Sequence, residues 1–310
     1  MKTRIISAIA MLPLLLFVWW GGIPFYIACL ALTVVALREF TGVFRHASAE
    51  SESAGVKSEF ARMPRPSFII PLFGAVLLYV IEIVIEDEML IFFWLFLMTA
   101  LSLLVTFRRS AGLSDAALTM MANVYIVYFL AHAVMVERYF TYTENESIWS
   151  PIGFANPLWL ILLAAFGSDM FAYFTGVLFG KHKLCPNLSP KKTVEGFIGG
   201  IVGSTLFCGV FGYFFLEDYF PANFQIPLPG GQSVSAHLLL IGALGGGAAV
   251  LGDLAASAIK RKLGVKDYGK LIPGHGGVLD RIDSVLFTAP FVYYYLLIMD
   301  YVVVLTFGGW

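Results

Sequence analysis

Long apolar runs, each about the length that crosses a bilayer, constrain this chain more than any other feature of its sequence. Hydrophobic residues make up 59% of the chain and charged residues only 13%, with a mean hydropathy of +0.81. Soluble domains are about a quarter charged, so the composition excludes an ordinary soluble protein. The 3 cysteines are scattered and indicate neither a disulfide framework nor a zinc site. The predicted fold class is an all-α polytopic membrane protein.

The apolar runs also predict where the membrane spans lie. A spanning helix needs about 20 apolar residues, and windows of that size give about nine transmembrane helices. The first run follows a charged start, as in a secretory signal, but it lacks a convincing cleavage site, so an uncleaved helix is expected. The spans are expected near residues 5–20, 22–37, 67–85, 88–106, 115–136, 156–179, 194–216, 235–256 and 284–307.

The basic residues predict the orientation of these spans. All but one of the 20 Lys and Arg residues fall at the N-terminal tip or in the loops after the second, fourth, sixth and eighth spans. The exception is Arg138. Because cytoplasmic loops carry the excess of Lys and Arg, the N-terminus is expected to be cytoplasmic and the C-terminus to face outward.

Two regions are expected along the chain. Residues 1–155 would form an N-terminal transmembrane region of five spans, with a mobile cytoplasmic loop at 38–66, where polar residues predominate. Residues 156–310 would form a catalytic transmembrane region of four spans, with cytoplasmic loops at 180–194 and 257–283. The sequence has no convincing internal repeat, which disfavours a transporter built from inverted halves.

Charged residues gather at the end of the eighth predicted span. On a helix, Asp253, Ser257, Lys260 and Arg261 would share one face, because they are offset by 0, 4, 7 and 8 positions. A carboxylate beside a hydroxyl and two cations suits a metal-bound polyphosphate. A structural ion pair near the membrane interface is the alternative.

Two further aspartates begin the last predicted span. Asp280 and Asp283 are three residues apart, which places both carboxylates on one side of a helix start. Helix N-termini stabilise carboxylates, so capping is one interpretation. With Asp253 they also supply the hard oxygen ligands that magnesium prefers. Asp169, inside the sixth span, is a further candidate ligand; a helix contact and a nucleotide contact remain equally open for it.

Two loops have the composition of phosphate sites. Between the charged clusters, Gly276 and Gly277 belong to a glycine-rich turn whose amides could approach an anion. His275 in this turn is a proton carrier or a hydrogen-bonded structural histidine. The turn is flanked by Lys266 and Asp267. In the other loop, two hydroxyl residues and two lysines lie just before the seventh span, where the N-terminal amides of the helix favour an anion. The alternative is that these lysines only reflect the general excess of basic residues in cytoplasmic loops. The four residues are Ser189, Lys191, Lys192 and Thr193.

The segment from Ser257 to Asp283 reads S-A-I-K-R-x4-K-D-x-G-x2-I-P-x-H-G-G-V-x-D-R-I-D. It resembles the signature of the phosphatidate cytidylyltransferase, or CDP-diacylglycerol synthase, family. The resemblance implies that CTP and phosphatidic acid give CDP-diacylglycerol and pyrophosphate, with Mg²⁺ and a candidate second cation. It also implies a homodimer. The distribution of basic residues predicts an active site on the cytoplasmic face of the cytoplasmic (inner) membrane. Membrane lipid is expected as a partner and nucleic acid is not.

The resemblance assigns roles to individual residues. Asp253, Asp280 and Asp283 would hold the metal that bridges the CTP phosphates. Arg281 would reach the lipid head group. Phosphates would be clamped by four cations, namely Lys191, Lys192, Lys260 and Arg261.

Two other functions fit the same charged loops. A CTP-dependent kinase of a polyprenol or another lipid alcohol would release CDP, whereas the cytidylyltransferase releases pyrophosphate. An anion transporter would use the basic loops as a vestibule, and would move its substrate across sealed vesicles without forming a lipid product.

Overall fold

The computed structural model describes most of the chain. The described residues are 14–54, 64–85, 89–107, 112–143, 153–186, 188–216, 225–227, 233–274 and 276–307. His275 lies outside them, as does most of the first predicted span.

Helices dominate the described residues. They are α1 (Leu14–Trp20), α2 (Gly22–Ala54), α3 (Ile69–Val80, continued by a π-helical turn at Ile81–Ile85), α4 (Met89–Leu104), α5 (Leu113–Ala122), α6 (Phe129–Thr143), α7 (Leu158–Phe179), α8 (Val194–Phe215), α9 (Ala236–Lys262) and α10 (Leu279–Phe307). A π-helical turn at Asn123–Tyr128 joins α5 to α6.

The helices confirm the predicted fold class. Within the described residues, seven helical segments are long and apolar enough to cross a membrane, and the shorter apolar stretch Ile69–Ile85 coincides with the third predicted span. The protein is an integral membrane protein of all-α class. The total of nine spans and the orientation stay predictions.

Helix α2 differs from the sequence prediction. The second span was expected to end near residue 37, yet the helix continues to Ala54, into the loop expected at 38–66. Its second half is rich in alanine and glutamate, which favour helix, and the first proline after it is Pro64. Polar composition therefore marks the end of the apolar run and not the end of the helix. Residues 55–63 of the expected loop lie outside the described part.

Helices α9 and α10 also extend beyond the predicted spans. Helix α9 continues through Lys262, and α10 begins at Leu279. The charged residues at these two ends are therefore helical, as their predicted spacing requires.

Tertiary contacts divide the chain into two compact units. Unit 1 comprises Met1–Phe17, Ile23–Val134 and Ala258–Ile282, and unit 2 comprises Val18–Gly22, Met135–Ser257 and Asp283–Trp310. The boundaries fall within helices α1, α2, α6, α9 and α10. The division of the chain near residue 155 stays a prediction.

The core of unit 1 combines apolar packing with buried hydrogen bonds. The indole of Trp94 is fully buried, donates to the carbonyl oxygen of Gly74 at 2.8 Å and stacks on Tyr128. Asp115 accepts hydrogen bonds from the backbone N–H groups of Gly112 and Arg65 at the start of α5. The bond from Gly112 satisfies a helix-end amide that has no partner within the helix, and the bond from Arg65 ties the segment before α3 to the start of α5.

Unit 2 is held together by close packing of α7 against α8. Glycines of α8 lie directly against α7, with Gly199 facing Thr175 and Gly203 facing Phe171, and a Cβ atom at either glycine would overlap the opposing side chain. Small residues allow membrane helices to approach this closely. The hydroxyl of Ser168 adds a hydrogen bond of 3.0 Å to the carbonyl oxygen of Gly246 in α9.

Two short antiparallel hairpins complete the described structure. Strands β1 (Lys183–Cys185) and β2 (Ser189–Thr193) pair within the loop expected at 180–194, and β3 (Gln225–Pro227) pairs with β4 (Ser233–Ser235). The first hairpin leads directly into α8, so it fixes the lysines of β2 relative to the start of that helix.

Candidate active site

Asp280, in the first turn of α10, accepts hydrogen bonds from three groups around it. Its Oδ1 atom accepts a hydrogen bond of 2.7 Å from Nζ of Lys260. Its Oδ2 atom accepts from the backbone N–H groups of Tyr268 at 2.8 Å and Gly277 at 3.0 Å. We call Lys260, Tyr268, Gly277 and Asp280 the Asp280 cluster; it lies within unit 1.

The ion pair in the Asp280 cluster is largely removed from solvent. The side chain of Lys260 is 11% exposed and that of Asp280 only 2%. Lys260 also lies over the ring of Tyr268, with Nζ 5.3 Å from the ring centroid. Leaving one charge of a buried pair without its partner costs about 3–5 kcal/mol. Three accepted hydrogen bonds leave Asp280 about one of its four lone-pair positions for any further ligand.

Glu39 of helix α2 makes a contact that sequence reasoning missed. Its Oε1 atom accepts from the N–H of Val278 at 3.0 Å, and its Oε2 atom accepts from the N–H of Leu279 at 2.8 Å. The partners are backbone groups some 240 positions away, so no side-chain pattern in the sequence marks this contact.

The glycine-rich turn adopts the unusual backbone that its composition predicts. Gly274 and Gly276 have φ angles of 78° and 87°, in the left-handed region that favours glycine. The N–H of Gly277 donates to Asp280, so this amide binds a carboxylate of the protein itself. The predicted nucleotide contacts of Gly276 and Gly277 stay predictions.

An open pocket of about 620 Å³ lies beside this turn, within unit 1. Three cationic residues line it, Lys266, Lys270 and Arg281, against the single acid Asp267. The Nε atom of Arg281 is buried and donates to no group in the described part of the chain. We call this the anion pocket, because its cationic lining favours a negatively charged ligand.

A second group of predicted residues, the Asp253 cluster, lies within unit 2 and comprises Lys192, Asp253 and Ser257. Nζ of Lys192 in β2 lies 2.5 Å from Oδ2 of Asp253 in α9. The hydroxyl of Ser257 lies 3.4 Å from Oδ1 of the same carboxylate, as their four-residue spacing on a helix predicts. Both charged side chains remain about a quarter exposed, so a ligand can still reach them.

The other predicted site residues of β2 differ in exposure and in role. Lys191 is exposed and Ser189 is partly buried. Thr193 caps helix α8: its side-chain oxygen accepts a hydrogen bond from the N–H of Gly196 at 3.1 Å. This capping contact explains a threonine here without any ligand, and the predicted phosphate contact of Thr193 stays untested.

Asp169 and Asp283 are linked through Ser284. The hydroxyl of Ser284 donates to Oδ2 of Asp169 at 3.1 Å, and the N–H of Ser284 donates to Oδ1 of Asp283 at 2.9 Å. Of the alternatives for Asp169, the structure therefore shows a contact between helices α7 and α10. Asp169 is exposed on the protein surface, whereas Asp283 is buried.

The fit of these residues to magnesium is partial. Among the residues that the structure describes, no three His, Cys, Asp or Glu side chains come together as a metal-binding group. Magnesium commonly takes only one or two carboxylates and fills its other positions with water and phosphate. Asp253 of α9 and Asp283 of α10 are the candidates for that smaller set. The two helices are in contact nearby, since a Cβ atom on Gly252 would overlap the backbone oxygen of Asp283. The three-aspartate ligand set stays a prediction.

The apolar helices and the anion pocket thus define an integral membrane protein with an open pocket whose cationic lining favours an anionic ligand. The chain belongs to the cytidylyltransferase family, whose model matches residues 2–299. A phosphatidate cytidylyltransferase of Bacillus subtilis is 34% identical over 225 residues, which is 67% of this chain and 76% of that protein.

Two other relatives carry the same name. The Thermotoga maritima protein is 36% identical over 185 residues, 59% of each chain, and the Synechocystis protein is 42% identical over 157 residues, 50% of this chain and 48% of its own. The chain thus matches about half to three quarters of the length of these relatives.

Proposed function

We propose that the protein is a phosphatidate cytidylyltransferase, which forms CDP-diacylglycerol and pyrophosphate from CTP and phosphatidic acid. One structural observation carries the proposal: the signature segment folds around Asp280 and leaves Lys266, Lys270 and Arg281 lining an open pocket. Two polyanionic substrates require such a concentration of positive charge. The named relatives support the specific reaction.

The chemistry needs positioning more than acid–base catalysis. A phosphate oxygen of phosphatidic acid attacks the α-phosphorus of CTP, the bond from that phosphorus to the bridging oxygen breaks, and pyrophosphate leaves with the bond electrons. The attacking oxygen is already ionised at neutral pH, so no general base is needed. The protein must hold two repelling phosphates in line and neutralise their charge.

In the proposal, different residues bind CTP, bind the lipid and fix the start of α10. Lys192 and the exposed Lys191 bind the CTP phosphates from strand β2, with Arg261 as a further contact. Arg281 and Lys266 hold the phosphate of the lipid. Lys260 holds the Asp280 carboxylate in place at the start of α10.

Magnesium, when bound, would neutralise charge on the triphosphate and hold it in line for attack. Asp253 and Asp283 would hold it, with Asp280 and Asp169 as further candidates. A second cation, a homodimer, an inner-membrane location and a cytoplasmic active site all belong to the proposal. They rest on the family resemblance and on the distribution of basic residues.

The proposal is tested with the purified protein in lipid nanodiscs. CTP labelled at the α-phosphorus should pass its label to a chloroform-soluble product only when phosphatidic acid is present, with one pyrophosphate released per lipid labelled. Label transfer from γ-labelled CTP, with CDP as the soluble product, would instead identify a lipid kinase. With phosphatidic acid and a polyprenol both supplied, no lipid product with either label would reject both enzymes.

A further inference from the structure

Glu39 stands outside the signature segment, yet its carboxylate holds the start of that segment's last helix. The backbone N–H groups of Gly277, Val278 and Leu279 are consecutive, and all three donate to carboxylates. The first donates to Asp280, and the other two donate to Glu39. The amides of Val278 and Leu279 are among those that a helix N-terminus leaves without a partner in the helix.

Two glycines of the signature segment make room for this carboxylate. A Cβ atom on Gly269 would overlap Oε1 of Glu39, and a Cβ atom on Gly277 would overlap Oε2. The glutamate therefore fits closely between the loop and the helix start. At least part of the glycine content of the segment serves a carboxylate of the protein and not a phosphate.

We propose that Glu39 is a positioning residue that sets the orientation of Asp280 at the start of α10. The inference rests on the proposed function, because Asp280 acts there beside the phosphates. Glu39 does not line the anion pocket, so it would act through the backbone at 277–279. Its negative charge at a helix N-terminus also favours the helical conformation of this turn.

The Glu39→Gln variant tests the inference. The glutamine side chain keeps one oxygen acceptor, but its NH₂ group would face one of the two backbone N–H donors. One charge-assisted hydrogen bond is therefore lost. If that loss falls wholly on the transition state, kcat should drop about 10- to 100-fold. The KM values for CTP and phosphatidic acid should change less than about threefold, because Glu39 binds neither substrate in this proposal.

Thr41→Val is the matched control. Thr41 lies in the same helix, and its hydroxyl donates to the carbonyl oxygen of Leu37 in that helix. This variant removes a side-chain hydrogen bond from α2 without touching α10. It should keep the kcat of the unchanged protein.

Gly269→Ala provides an independent route to the same effect. Its new methyl group should displace the Glu39 carboxylate and lower kcat. Because both changes act on one contact, the double variant with Glu39→Gln should lose less activity than the product of the two single losses. This variant also keeps the inference testable if Glu39→Gln does not fold.

Hydrogen exchange, measured without substrates, separates this inference from the proposed function. Glu39→Gln should speed exchange in peptides covering 276–283 and leave those covering 290–299 unchanged. Unchanged exchange at 276–283 together with a kcat equal to that of Thr41→Val would overturn the inference. So would a uniform loss of protection throughout α10, which would indicate a purely structural role. If the unchanged protein formed no CDP-diacylglycerol, the proposed function would fail while the exchange result still stood.

Discussion

Lys260 and Asp280 join the end of helix α9 to the start of helix α10 through a buried ion pair of 2.7 Å. The sequence separates them by twenty positions, and the glycine-containing loop between them folds back so that its own amides also reach the carboxylate. The pair thereby fixes both ends of the signature segment. Asp280 consequently has a structural task in addition to any contact with a metal.

This dual task predicts different outcomes for the two aspartates of the motif. Asp280→Asn should abolish turnover and also destabilise the protein, because it leaves Lys260 buried without its counter-charge, at a cost of about 3–5 kcal/mol. Asp283→Asn should abolish turnover with little loss of stability, since an amide oxygen can still accept from the N–H of Ser284. Melting temperatures in detergent, measured beside activity, test the contrast, and equal melting temperatures would contradict it.

The proposed contact of Lys192 with the CTP phosphates predicts a change in nucleotide affinity. Lys192→Ala should raise the KM for CTP about tenfold or more, the cost of one lost charged contact, and leave the KM for phosphatidic acid nearly unchanged. Lys183→Ala, in the first strand of the same hairpin and exposed, is the control and should behave as the unchanged protein. A change confined to the lipid KM would show that β2 faces the lipid and not CTP.

Two neighbouring glycines of α9 should respond to alanine in opposite directions. A Cβ atom on Gly246 would overlap the hydroxyl of Ser204, whereas one on Gly247 would meet nothing within 4 Å. Gly246→Ala should destabilise the protein by about 1–3 kcal/mol through overpacking. Gly247→Ala should be neutral or stabilising by up to about 1 kcal/mol, because alanine favours helix. Thermal unfolding of both variants measures the difference. Similar melting temperatures would refute the close approach of α8 and α9 at Gly246.

Removal of divalent cations should inactivate the protein reversibly. Excess EDTA is expected to abolish formation of CDP-diacylglycerol, and added Mg²⁺ is expected to restore it, because the triphosphate needs a bridging cation. EDTA already saturated with Mg²⁺ serves as the control for effects of the chelator itself. Full activity after chelation would remove the metal from the proposal.

The apolar helices were predictable because bilayer thickness sets the length of a spanning run. The predicted spans at 156–179 and 194–216 differ from α7 and α8 by at most two residues at either end. Helix ends that consist of charged residues were harder to predict from the sequence. The start of α10 at Leu279 and the end of α9 at Lys262 lie beyond the apolar runs, where a hydropathy window carries no signal.

The site was predictable only where its residues are near in sequence. The contact of Asp253 with Ser257 follows from their spacing on one helix, and it is confirmed. The strand at 189–193 was not predicted, because SPKKT has neither an apolar alternation nor a run of β-branched residues. The pairing of Lys260 with Asp280 depends on the path of the intervening loop, which local propensity does not determine.

The reach of Glu39 has a practical consequence for dissecting the protein. A fragment beginning at residue 156 would keep every residue of the signature but would expose the amides of Val278 and Leu279 without their acceptor. Inactivity of such a fragment would therefore not by itself show that residues 1–155 bind substrate. Supplying residues 14–54 as a separate chain is the complementation experiment that this geometry recommends.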